Sequence, residues 1–170
     1  MTPYRLRIDM ATAIFALAAL TAPARASAAE IACPAEIATP AVAEAHPGWR
    51  VVPRPSSTGF PFRGPERPGR NALAGIAVVD GPDSDVMAEA PGTLMPDTGA
   101  SGRPRPPSLM QRWDISGGSP RGLLLVCQYR GTATVLARVL PPGLRECRQV
   151  LPVDPQGRLS DRGPVTASCR

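Results

Sequence analysis

The segment Gly122-Leu123-Leu124-Leu125-Val126-Cys127-Gln128-Tyr129-Arg130-Gly131-Thr132-Ala133-Thr134-Val135-Leu136-Ala137-Arg138-Val139-Leu140 reads as two strands about a short turn. Each arm is rich in leucine and valine, and Arg130-Gly131 is the only break between them, so an antiparallel hairpin is expected. A tight turn at Arg130-Gly131 sets Tyr129 opposite Thr132, Cys127 opposite Thr134 and Val126 opposite Val135. Leu124, Val126, Val135, Ala137 and Val139 then share one face; Leu125, Cys127, Tyr129 and Leu136 share the other. Both faces are largely apolar, which places the hairpin at the centre of the domain, covered on both sides.

Downstream, Cys147 to Leu151 and Val165 to Cys169 form a second strand pair. Pro152 and Pro164 stand symmetrically about Arg158 and flank a polar loop. That symmetry sets Leu151 opposite Val165 and Cys147 opposite Cys169, close enough to bridge in this register. Cys33 is left for Cys127. Were three consecutive strands to form a meander, Cys127 and Cys147 would lie about 9.5 Å apart, too far to join.

Upstream, Gln111 to Ile115 is a short strand with Trp113. Leu73 to Val79 is nearly all apolar and runs into the turn Asp80-Gly81-Pro82. Asp83 or Ser84 is placed to cap one short helix over Asp85 to Ala90, ended by Pro91. Trp49 to Val52 follows the turn Pro47-Gly48. Ile31, Cys33, Ala35 and Ile37 alternate as a strand, with Pro34 at an edge or bulge. Two stretches rich in proline, glycine and serine, 53–70 and 91–108, read as long surface loops. The fold expected is mainly β: one small antiparallel domain of six to eight short strands, sandwich-like or a curved sheet, with at most one short helix.

The N-terminus has the layout of an export signal. Arg5 and Arg7 precede an uncharged apolar run, Ala11 to Ala22; Pro23 breaks it, and Ala26-Ser27-Ala28 supplies small residues for cleavage. The run is well short of the roughly 20 residues that span a bilayer, so a transmembrane anchor is not expected. Residues 1–28 are thus read as a signal peptide and 29–170 as the mature domain, periplasmic or secreted. Four cysteines in an oxidising compartment imply two disulfides, and none forms Cys-x-x-Cys.

All 19 basic residues are arginine, against 14 acids. Removing 1–28 takes away Arg5, Arg7, Arg25 and Asp9, which lowers the net charge from +5 to +3. With Ala and Pro also abundant, the arginine usage reads as genome composition rather than a nucleic-acid surface. Two Trp, two Tyr and three Phe supply few base-stacking platforms, and no nucleic-acid partner is expected.

Several short motifs resemble those of a small, uncharacterised family of exported proteobacterial proteins. They are Ile31-Ala32-Cys33-Pro34, Gly48-Trp49, Val79-Asp80-Gly81-Pro82, Trp113, Leu125-Val126-Cys127-Gln128-Tyr129, Leu140-Pro141 and Cys147. The resemblance implies an envelope protein and carries over no catalytic or binding residue.

Candidate chemistry is sparse. His46 is the sole histidine and sits in the turn Ala45-His46-Pro47-Gly48, a solvated position rather than that of a general base. Asp80, Asp83 and Asp85 lack the spacing of a calcium loop and read as turn and helix cap. No catalytic, metal or cofactor residue is assigned. Arg54, Arg63, Arg67 and Arg70, with Glu66 among them, form a local basic loop, and Arg103 and Arg105 a smaller one. The larger loop is the expected contact for an anionic envelope component or a protein. The function expected is that of a non-enzymatic binding or structural module of the envelope; the alternative is a secreted inhibitor of a hydrolase such as lysozyme.

Overall fold

A computed structural model describes residues 30–39, 46–53, 66–82, 84, 92–97 and 108–170. The described residues form ten strands: β1 Ile31–Ala32, β2 Glu36–Thr39, β3 Arg50–Pro53, β4 Gly69–Asp80, β5 Gly92–Thr93, β6 Ser108–Asp114, β7 Leu123–Tyr129, β8 Thr134–Val139, β9 Glu146–Pro152 and β10 Thr166–Cys169. The architecture is mainly β, as expected. A four-stranded sheet has the order β1-β10-β9-β6; a six-stranded sheet has the order β2-β4-β7-β8-β3, with β5 beside β4. Every pair of these strands is antiparallel among the described residues. The helix expected over Asp85 to Ala90 lies outside the described residues, as do residues 1–28 and most of both proline-rich stretches. At the stretches' described ends, β4 begins at Gly69, Thr93 is in β5 and Ser108 is in β6.

The core lies between the sheets. Ile31, Trp113, Cys147, Leu151 and Ala167 come from the four-stranded sheet; Ile37, Leu73, Ile76, Val78, Leu125, Tyr129 and Leu136 come from the other. A second buried cluster sits on the far face of the six-stranded sheet: Val52, Ala77, Val79, Leu124, Val126, Val135 and Ala137. All seven residues of β7 are buried, so the central strand is covered on both faces.

The β7–β8 hairpin corrects one expectation. Cys127 pairs with Leu136 and Val126 with Ala137, not with Thr134 and Val135. The register is displaced by two residues because the turn extends through Ala133. The Thr134 amide donates to Thr132 Oγ1 at 2.9 Å, and the Ala133 amide to Glu66 Oε1 at 2.6 Å, so neither extends the ladder. A one-residue slip would have turned every side chain over; two residues restore the alternation. The predicted faces therefore stand although the predicted partners do not. Val139 keeps its side of the sheet but is 61% exposed near the hairpin's open end.

The run from Ile31 to Ile37 is not one strand. It breaks around Pro34, which cannot donate to a ladder. Its first half pairs with β10 and its second with β4, so the chain steps from one sheet to the other. The Tyr129 hydroxyl donates to the Pro34 carbonyl at 3.1 Å and fixes the step; burial pushes this phenol well above its ordinary pKa of 10.0. A second crossing runs through Gly92–Asp97. β5 pairs with β4, the Trp113 indole donates to the Leu94 carbonyl at 3.0 Å, and the Asp97 amide donates to the Arg112 carbonyl at 2.6 Å. Two crossings from the β4 side of one sheet to the two outer strands of the other curl the structure into a half-barrel.

Cys33 bridges Cys127 and Cys147 bridges Cys169, with Cα separations of 5.9 and 4.0 Å. Cys147 and Cys169 are direct cross-strand partners. The meander argument does not hold, however: β8 and β9 belong to different sheets, and Cys147 pairs across β6 with Trp113.

Candidate partner interface

Arg54 and Arg63 lie outside the described residues. The structure describes the other two members of the basic cluster. Arg67 is held by its backbone, its amide donating to the Gly131 carbonyl at 2.7 Å and its carbonyl accepting from Thr39 Oγ1 and Asn71 Nδ2. Arg70 stands in β4 and pairs with Glu36 at 2.7 Å, both largely exposed. Arg103 and Arg105 are also outside the described residues. The His46 carbonyl accepts the Trp49 amide at 3.0 Å in the turn that leads into β3. Asp80 accepts a 2.5 Å hydrogen bond from Ser119 Oγ, while Asp83 and Asp85 are not described. Among the described residues no group of three or more His, Cys, Asp or Glu side chains could hold a metal ion, and no helix is long and apolar enough to cross a membrane.

The fold also presents a sheet face. In β6 and β9, Trp113, Cys147, Gln149 and Leu151 turn into the core. Their neighbours Met110, Arg112, Arg148 and Val150 turn outward by simple alternation. Across the strands, Ala32 pairs with Ser168, Ser168 with Arg148, and Arg148 with Arg112. Thr166 and Met110 flank Val150 in the next row. Small side chains on β1 and β10 leave an open depression of about 530 Å³ over this face, with Glu30 at its rim.

Charges on the face are unevenly paired. Arg170 places Nη2 2.5 Å and Nε 2.7 Å from Glu146 Oε1, and Arg112 lies 3.8 Å from Oε2. Asp114 is held below the usual aspartate value by hydrogen bonds from the Ser116 hydroxyl and amide, with a contribution from the charge of Arg112.

The loop between β9 and β10 continues from this face and is pre-organised. Asp154 Oδ1 accepts the amides of Gln156 and Arg158, each at 2.9 Å, and Oδ2 accepts Arg158 Nε at 2.9 Å. The Gly157 amide returns to the Asp154 carbonyl, and Val153 bridges Leu159. These bonds present Leu159, 53% exposed, on a fixed turn. The Cys147–Cys169 bridge ties the other end of the same strand pair. A loop ordered before contact loses little conformational freedom on binding. The sequence marked this loop only as a polar connection flanked by Pro152 and Pro164, and neither Arg112 nor Arg148 stood out. The available signal was the strand alternation through Met110–Trp113 and Glu146–Leu151, which sends both arginines outward.

Residues 67–170 match the model of a family described as type VI secretion system Tli immunity protein. Over 143 residues the chain is 31% identical to the "Uncharacterized 16.3 kDa protein in trpG 5′ region" of Azospirillum brasilense, with 84% of each chain covered. No solved structure matches the chain. The family match takes in β4 to β10, and with them every strand of the open sheet face except β1.

Proposed function

The chain belongs to the type VI secretion system Tli immunity protein family, and on that premise we propose that it protects its producer by binding and silencing an effector toxin. The family match over residues 67–170 carries this reading. A sheet face with an open depression, continued by a pre-ordered loop, suits a protein that acts by occupying a partner's surface rather than by turning over a substrate. The interface proposed is the outward face of β1, β10, β9 and β6 together with the β9–β10 loop.

Compartment narrows the target. Two disulfides suit an oxidising environment, and the sequence of residues 1–28 has the order of a cleavable signal. We place the mature protein, beginning at Ala29, in the periplasm. An inhibitor there meets only toxins that act on what the periplasm contains, such as cell wall and membrane lipid. The effector is thus a hydrolase of the envelope, and the protein is its inhibitor.

The test is a co-culture. A strain lacking the gene is grown against its type VI-competent parent and against a secretion-deficient parent. The deletion strain is expected to be killed by the first only, and to be rescued by a plasmid copy. Equal survival in both cultures would remove the immunity reading. A copy lacking residues 1–28 should fail to rescue, and N-terminal sequencing of the periplasmic protein should begin at Ala29.

A further inference from the structure

Arg112 and Arg148 are direct cross-strand partners on the outward face of the four-stranded sheet. Like charges set directly opposite each other destabilise a sheet. Arg112 is compensated, with Glu146 at 3.8 Å and Asp114 two residues along its own strand. Arg148 is not: among the described residues it has no ion-pair partner. Glu146 is drawn to Arg170 and Arg112, and Glu30 at the rim is exposed and forms no ion pair among the described residues. Yet Arg148 is half-buried, lining the depression with Ala32, Ser168, Thr166 and Val150. A partly desolvated guanidinium without a counter-ion has already lost some of its hydration, and gains most from a carboxylate brought to it.

We propose that Arg148, with Arg112 opposite, is the anchor for an acidic side chain of the effector. A glutamate or aspartate on a projecting loop enters the depression. Its carboxylate lies against Arg148, where the fork of the guanidinium can donate a hydrogen bond to each of its oxygens. The small side chains of β1 and β10 admit the loop's backbone, and Val150 supplies apolar contact. The free protein bears the repulsion between the two arginines, and the complex relieves it. This inference rests on the immunity reading for the identity of the partner but not for the chemistry of the anchor.

The two can be tested apart. Wild type, R148Q, R148E and the control R145E, at an exposed arginine outside the depression, are returned to the deletion strain, and each purified protein is melted. R148E is expected to lower survival at least tenfold, R148Q less, and R145E not at all. The melting temperature of R148Q should equal or exceed that of wild type, because a like-charge contact is gone. Full protection by R148E, or equal loss with R145E, overturns the anchor. In a second arm the wild-type and R148Q proteins are titrated with a glutamate-rich hexapeptide and, separately, with inorganic phosphate, following by NMR the backbone amides of Val150 and Ser168, which line the depression and are present in both. Movement with the peptide, absent in R148Q, supports the anchor even if the wild-type gene gives no protection. No movement, or movement with phosphate alone, overturns it.

Discussion

The side chain of Gln149 on β9 reaches across the core to the backbone of Ile76 on β4: its Oε1 accepts the Ile76 amide at 2.9 Å. β4 shifts register against β7 between Leu73 and Gly75, and the amide just past that irregularity is the one Gln149 satisfies. Gln149 Nε2 in turn donates to Gln111 Oε1 at 2.5 Å. The contact joins the two sheets by a polar link, and Gln149 is only 2% exposed.

Replacing Gln149 by leucine leaves the Ile76 amide and the Gln111 carboxamide without this partner. A buried polar group left unsatisfied costs about 1–3 kcal/mol, so the Q149L midpoint in urea should fall accordingly. Gln149→Glu should cost more at neutral pH, where it buries a charge, and should recover as the carboxyl protonates on acidification. Wild-type stability in Q149L would show that water replaces the contact.

The two bridges should differ in value. Cys33–Cys127 spans 94 residues and Cys147–Cys169 spans 22. Chain entropy assigns the longer loop about 4.7 kcal/mol and the shorter about 3.4 kcal/mol. Unfolding of the paired serine variants checks the order: loss of Cys33–Cys127 should lower stability more. The reverse order would mean that local strain or residual structure outweighs loop length.

Gly131 should resist substitution. Its φ is +73°, and a Cβ there would lie 2.9 Å from Asn71 Oδ1 and 3.1 Å from Arg67 Cδ. The left-handed backbone alone costs an alanine about 1–2 kcal/mol, and the crowding adds to it. Gly131→Ala should therefore lower the melting temperature more than Gly157→Ala, where φ is +79° and no atom lies within 4 Å of the added carbon. Equal losses would show that the Arg67 and Asn71 side chains simply move aside.

Order in the β9–β10 loop should depend on pH. The amide of Arg158, then its side chain and the amide of Gln156, hold the Asp154 carboxyl below its ordinary 3.8. A depressed folded-state pKa gives stabilisation that is complete above the unfolded value and is lost as pH falls through the folded one. The loop should thus be unchanged from neutrality to about pH 5 and loosen below about pH 4. The amide shifts of Gln156 and Arg158 report it directly. In Asp154→Ala both should be disordered at every pH, with protection in co-culture reduced if Leu159 contacts the effector.

How much of this was legible in sequence depends on the range of the deciding contact. The two faces of the β7–β8 hairpin follow from a period of two, which survives a register error of two. The turn that caused the error is shaped by Glu66 and Arg67, more than sixty residues upstream, and nothing local announces them. Pro34 marked an irregularity, but only the partners of Ile31 and Ile37 reveal that it separates two sheets. The symmetry of Pro152 and Pro164 placed Cys147 opposite Cys169 because the loop between them closes on itself. The surface proposed for the partner was less accessible. Clustering drew attention to Arg54–Arg70, whereas Arg148 is one arginine in an alternating strand, and its repulsive neighbour Arg112 is 36 positions away. Arg70, by contrast, already has Glu36.

The order of the cysteines along the chain bears on how the protein matures. A polypeptide threaded N-terminus first into an oxidising compartment presents Cys33, Cys127, Cys147 and Cys169 in that sequence. Its native bridges join first to second and third to fourth. A catalyst that simply oxidises each thiol pair as it emerges therefore produces the correct connectivity without error or repair. Maturation by that route needs an oxidant but no isomerase.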